Sequence, residues 1–257
     1  MSKIVNILGI GLRAQSMEEA VAAIAAWIEQ RRATYVCVSS VNNIVESQRD
    51  PALKTIHNAA GMVTTDGMPL VWLCRKNGHK TAQRIYGPDL MLEICSASVE
   101  RNWRHFLYGA TPEVLERLGN NLQARFPGLV IAGSYAPPFR PLTEGEDHEI
   151  TARINAAKAD VIWVGLNTPK QERWMAAHLD RVSAPVMIGV GAAFDFHAGT
   201  KRQAPRWMRR HGLEWLFRLA CEPRRLGRRY LVGNTVFLWL LALQALSLRA
   251  FPLGKGR

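Results

Sequence analysis

The 257-residue sequence is poor in the residues that staple small or metal-bound folds. It has four cysteines, Cys37, Cys74, Cys95 and Cys221, and no Cys-x-x-Cys pair. That pattern excludes a disulfide framework and a zinc-finger-like site, and it suits a reducing compartment. No Asp-x-Asp pair occurs, so nothing marks a metal clamp for a nucleotide diphosphate. A leaving diphosphate would then need arginines and helix dipoles. Repeats and low-complexity tracts are lacking. The N-terminus carries one lysine and too short an apolar stretch before Arg13 for a signal peptide, so the expectation is a protein of cytosolic origin.

Acids are scarce in one region only. Of 33 Lys and Arg, 13 lie in 200–257, beside two of the 21 Asp and Glu. Almost all of the net charge of +12 therefore sits in the tail, which implies a polyanionic partner, either nucleic acid or an anionic membrane surface. Ten of those bases are interleaved with Trp207, Trp215, Phe217 and Tyr230 in 201–230. The apolar stretch that follows has an unbroken core of only eight residues, Val236 to Leu243, against about 20 needed to span a bilayer. A membrane-surface helix is the preferred expectation, with a span or an oligomer contact as alternatives.

What is present is a globular composition, 48% hydrophobic and 21% charged, long enough for a large α/β domain with an appendage. β-rich runs at Ile4–Ile10, Tyr35–Ser39, His105–Tyr108, Leu129–Ala132, Val161–Gly165 and Val186–Val190 end in glycine or polar turns. Helical patterns lie between them, such as Ser16–Gln30, opened by a Ser16/Glu19 capping box, and Thr111–Phe126, with Thr111 as cap and Pro112 first. The alternation predicts an α/β fold, a Rossmann-like, mainly parallel sheet flanked by helices with a basic helical C-terminal appendage. A boundary is expected near Gly199, where the charge balance changes, dividing the chain into an α/β body, 1–199, and a basic, aromatic-rich, membrane-associating helical segment, 200–257. Residues 137–149, with three prolines and four acids, read as a loop.

Ligands of such sheets bind at the carboxyl ends of the strands. "GIGLRA" (9–14) is a poor dinucleotide fingerprint, because the helix signal waits until Ser16 and no acid follows about 20 residues on. "SSVNNIVES" offers Ser40 and Asn42 as caps or ligand contacts. "VGLNTPKQERW" leaves a strand at Gly165 and enters a helix with Thr168 as the expected cap, where Lys170 and Gln171 could reinforce an anion site. "GVGAAFDFHAG" combines Gly191, Asp195 and His197 without metal-ligand spacing. Gly109 ends another strand. In "GMVTTDGMPLVW" a lone acid, Asp66, stands between two apolar segments, where it is either a turn or cap residue or a base.

The strings "TTDGMPLVW", "RIYGPDLM", "VGLNTPKQERW", "GVGAAFDFHAG" and "KRQAPRWMRRHGLEWLFRLACEPRR" resemble, in order and spacing, the WecG/TagA/CpsF family of bacterial glycosyltransferases, glycosyltransferase family 26, from about residue 4 to 230. The resemblance implies an inverting, metal-independent enzyme without a cofactor. It would move a sugar from a UDP-sugar donor to a polyprenyl-diphosphate-linked saccharide, working peripherally at the cytoplasmic face of the bacterial inner membrane. It implies Asp66 as general base and Ser40, Asn42, Arg84, Gln171, Gly109, Gly165, Gly191 and Asp195 as substrate contacts. Arg218, Arg224 and Arg225 would touch the diphosphate or lipid acceptor. Ser40, Asn43, Asn167 and Ala192 depart from the family pattern and bear on which sugar is carried. Nucleic acid is not an expected partner, and self-association is a further expectation. The competing expectation is a basic membrane- or nucleic-acid-binding adaptor without catalysis.

Overall fold

The computed structural model describes residues 4–254, apart from the side chains of Arg225, Arg228 and Arg229. Among the described residues there are eight strands: β1 (Ile4–Ile7), β2 (Ile10–Arg13), β3 (Thr34–Ser39), β4 (Met62–Thr65), β5 (Arg104–Gly109), β6 (Val130–Tyr135), β7 (Val161–Gly165) and β8 (Val186–Gly189). The helices are α1 (Met17–Glu29), α2 (Val41–Arg49), α3 (Pro51–Ala59), α4 (Met68–Lys76), α5 (Gly87–Arg101), α6 (Pro112–Arg125), α7 (Glu144–Ala156), α8 (Lys170–His178), α9 (Ala193–His197), α10 (Arg206–Arg210), α11 (Glu214–Cys221) and α12 (Pro223–Ala245).

Six strands form one sheet in the order β4-β3-β8-β7-β5-β6. β3 with β8, β8 with β7, β7 with β5 and β5 with β6 pair in parallel. This is the α/β, Rossmann-like arrangement that the strand–helix alternation predicts. β3, β7 and β8 are buried along their whole length, which is why they read as continuous apolar runs. β6 is an edge strand, half-buried throughout, with a register shift opposite His105 and Phe106.

The chain divides into two compact units. One comprises Glu18–Cys37 and Gly87–Arg202; the other comprises Met1–Met17, Val38–Tyr86 and Gln203–Arg257. The basic tail, expected as an appendage from residue 200, is thus grouped with two N-terminal segments. Within that second unit α12 packs on α2, with Leu226, Phe237 and Leu240 buried. No helix of the described residues is long and apolar enough to cross a membrane.

Three local expectations need correction. Ile4–Ile10 is not one strand: Leu8 and Gly9 both have positive φ, 52° and 81°, and turn the chain into an antiparallel β1–β2 hairpin that forms its own sheet. "GIGLRA" therefore lies in a hairpin arm, with no helix start to receive a phosphate. Residues 144–149 belong to α7, where Thr143 accepts from the Glu146 N–H and the Glu146 carboxylate accepts from the Thr143 N–H. Thr168 does not cap α8; its hydroxyl donates to Glu172 Oε1 at 2.8 Å, and Pro169 holds the cap position. Thr111 does cap α6, accepting from the Val114 N–H.

Gly109 ends β5 at φ 130°, and a Cβ there would stand 2.7 Å from the Gly165 carbonyl group at the end of β7. Backbone strain and collision act together, so Gly109→Ala should cost about 2–4 kcal/mol, read as a lower denaturant midpoint with an unchanged slope. A midpoint within error of the wild type would refute the close approach of the two strand ends.

Candidate active site

The second unit holds a pocket of about 300 Å³ lined by Ser40, Asn42, Asp66, Arg84, Glu214 and Arg218, with Trp215, Tyr230, Phe237 and Leu238 at its apolar side. β4 delivers Asp66. Its four residues are buried, Thr65 Oγ1 donates to the Gln83 carbonyl at 2.8 Å, and the Asp66 N–H continues the ladder by donating to Ser39 at 2.9 Å. The cap position of α4 belongs to Gly67, so Asp66 is not a helix cap. Its carboxylate turns instead to Arg84.

Arg84 donates from Nη2 to Asp66 Oδ1 at 3.1 Å and, from the same nitrogen, to Glu214 Oε2 at 2.7 Å. Its Nε donates to the Asp66 carbonyl, and its guanidinium lies 4.1 Å from the Tyr86 ring centroid. Tyr86 Oη donates to Glu214 Oε1 at 3.1 Å and accepts from Gln203 Nε2 at 3.1 Å. One cation thus lies between two carboxylates in a mostly dry setting; the Arg84 side chain is 16% exposed. Burial pushes the Asp66 carboxyl up to about 6; Arg84 opposes that rise and Glu214 adds to it. Burial works against the Arg84 charge, but Asp66 and Glu214 hold its pKa above the ordinary arginine value.

Ser40 heads α2, with Asn43 Oδ1 accepting from both its N–H and its hydroxyl, at 3.2 and 2.9 Å. Asn42, on the first turn of α2, lines the same pocket. Arg218, one turn beyond Glu214 on α11, lines the same pocket, and its charge favours the ionised form of Asp66. Arg224 is exposed and outside this lining, and the Arg225 side chain lies outside the described residues.

The remaining sequence candidates fall in the first unit, around a cleft of about 640 Å³ at the carboxyl ends of β5, β6, β7 and β8. Gly165, Gly191, Asp195 and Lys170 line it, with Lys201, Arg140 and Phe139. Gly109 is the strand end before Ala110 in the lining. Asp195 is engaged by Lys201 at 3.0 Å and by Thr200. Gln171 is buried beneath the chain at Gly189 and Gly191, its Nε2 donating to Glu172 and its Oε1 without a partner. His197 faces the Pro88 carbonyl at 2.9 Å, a structural contact.

Sequence reasoning missed Glu214, Tyr86 and Gln203. A signal for Glu214 existed: it is one of two acids among 13 bases in the tail, and it is buried. A carboxylate in that composition is expected to be paired.

Folding raises the Asp66 pKa from 3.8 to about 6, so the native state holds that proton more tightly and ionised Asp66 costs stability above about pH 6. Asp66→Asn should therefore be more stable than the wild type by about 1–3 kcal/mol at pH 8, with the gap closing towards pH 4. Denaturant melts at both pH values check this. A variant less stable at pH 8, or a gap independent of pH, would contradict it.

Comparison with known proteins places these residues in a family. The model of the Glycosyl transferase WecG/TagA/CpsF family matches residues 5–250. The chain is also 31% identical over 219 residues to N-acetylglucosaminyldiphosphoundecaprenol N-acetyl-beta-D-mannosaminyltransferases of Staphylococcus aureus strains NCTC 8325 / PS 47, COL and MRSA252. Each match covers 81% of this chain and 84% of the relative. On the match over residues 5–250 and the 31% identity to these transferases, the chain belongs to the WecG/TagA/CpsF family and is a glycosyltransferase.

Proposed function

We propose that the enzyme transfers a hexose or N-acetylhexosamine from a UDP-sugar to a polyprenyl-diphosphate-linked saccharide, with inversion at the anomeric carbon and without a metal. The observation that carries this reading is the half-buried Asp66 carboxylate, pushed up to about 6 and fixed by Arg84 in a pocket that Arg218 also lines. The staphylococcal relatives are named for transfer of N-acetylmannosamine to N-acetylglucosaminyl-diphosphoundecaprenol, which makes that the first donor and acceptor to try.

An acceptor hydroxyl is a weak nucleophile. Asp66 takes its proton as the oxygen bonds to the anomeric carbon, the bond from that carbon to the diphosphate oxygen breaks, and UDP departs with the electron pair. A base whose pKa is close to the working pH is mostly ionised yet still holds a proton well, and such a base contributes about 10²- to 10⁴-fold. Direct displacement needs one carboxylate, not two. Arginine forks such as that of Arg218 meet the charge on the diphosphate.

A lipid-linked acceptor lies in a membrane, and the tail has the surface to meet one. Trp207, Leu231, Leu238 and Trp239 are exposed among its bases. Each Lys or Arg close to an anionic surface adds up to about 1 kcal/mol. Peripheral docking at the cytoplasmic face follows from this reading.

In an assay of UDP release with vesicles carrying a polyprenyl-diphosphate saccharide and a panel of UDP-sugars, one donor should give acceptor-dependent turnover. Asp66→Asn should reduce that rate at least a hundredfold with the circular dichroism spectrum unchanged. A variant that retains the wild-type rate would remove Asp66 from the chemistry.

A further inference from the structure

We propose that Glu214 is a positioning residue for the transfer: it holds the Arg84 guanidinium between two carboxylates, so that Arg84 orients Asp66 without neutralising it. This inference rests on the reading of Asp66 as the base.

The geometry is specific. Both Glu214 oxygens are occupied, Oε2 by Arg84 at 2.7 Å and Oε1 by Tyr86 at 3.1 Å. The bond to Glu214 is the shorter of the two that Arg84 Nη2 makes, 2.7 against 3.1 Å. Charge-assisted bonds strengthen as they shorten, so of the two carboxylates Glu214 is the more firmly held, while the Nε bond to the Asp66 carbonyl fixes the other edge of the guanidinium. Gln203 fixes the Tyr86 hydroxyl from behind, and the guanidinium stacks on the Tyr86 ring. α11 is placed to do this because the chain turns at Gly212, φ 73°, close against Met68 and Trp72 of α4; a Cβ there would stand 3.1 Å from Met68 Cβ.

Without Glu214, Arg84 would form a one-to-one pair with Asp66. Such pairs favour the ionised carboxylate and make it a weaker base. With Glu214 present the group of three carries one net negative charge when all three are ionised, which opposes ionisation of Asp66. Among the described residues, the charged or titratable groups around Asp66 are Arg84 and Tyr86 from the segment after α4, and Glu214 and Arg218 from α11. Arg209 of α10 lies over the Tyr86 ring, and Tyr230 of α12 closes the pocket.

The test is carbon NMR titration of the Asp66 carboxyl in full-length protein labelled at aspartate, for wild type and Glu214→Gln, the signal assigned by its loss in Asp66→Asn. Glu214→Gln should lower the Asp66 midpoint by roughly one pH unit. In transfer from UDP-N-acetylmannosamine, or whichever UDP-sugar the wild type uses, the acid limb of the rate should move down with it, with a severalfold lower kcat and donor KM within about twofold. An unmoved midpoint overturns the proposal while leaving the role of Asp66 intact; an active Asp66→Asn overturns that role instead. Should Glu214→Gln not fold, Glu214→Asp keeps the charge on a shorter arm. It should hold the midpoint near the wild-type value while kcat falls roughly tenfold or more through misplacement of Arg84. Wild-type kcat in either variant, with only a lower melting temperature, would make Glu214 merely structural.

Discussion

A single guanidinium between two carboxylates is the constraint on which the candidate site depends. Ionised carboxylates are costly in a dry pocket, and Asp66 and Glu214 are tolerated because Arg84 reaches both. The cation cannot neutralise two anions at once, so the carboxyl that is less firmly held stays easier to protonate. On the proposed reading, that asymmetry, 2.7 Å to Glu214 against 3.1 Å to Asp66, leaves Asp66 free to serve as the base. Arg84 bridges Asp66 and Glu214, and its loss would leave two close carboxylates unpaired, so the cluster also ties the α11 segment of the tail to the strand end that carries Asp66.

The fold serves this by placing variable groups at strand ends. β3, β7 and β8 are buried along their whole length and carry no charge, so chemistry is confined to the loops that follow them. Gly109, Gly165 and Gly191 lie at or just after such ends in the first unit. In the second unit the short β4 does the same for Asp66. The tail contributes differently: its interior residues Leu226, Phe237 and Leu240 join a core, while Trp207, Trp215 and Trp239 stay exposed.

Much of this was legible from composition and pattern, and the exceptions have physical causes. Buried parallel strands announce themselves as Val- and Ile-rich runs, whereas β4, "MVTT", hides two threonines whose hydroxyls are satisfied by the carbonyls of Gln83 and Ile85. The first hairpin was masked because its turn uses Leu8 and Gly9 without the usual Asn-Gly or Asp-Gly signal. α7 starts inside a proline-rich, acidic stretch because those acids suit a helix N-terminus and Glu146 closes a capping box. Asp66 was recognisable as an isolated acid, but Glu214 is 148 residues away in sequence, and only the three-dimensional fold shows that it shares Arg84 with Asp66.

The most direct measurement of the central claim is the pH dependence of kcat/KM for wild-type transfer, since that ratio reports the ionisation of the free enzyme. Asp66 as a poised base predicts an acid limb with a midpoint of about 6 and full activity above it. A profile that stays level down to pH 4.5 would contradict the account.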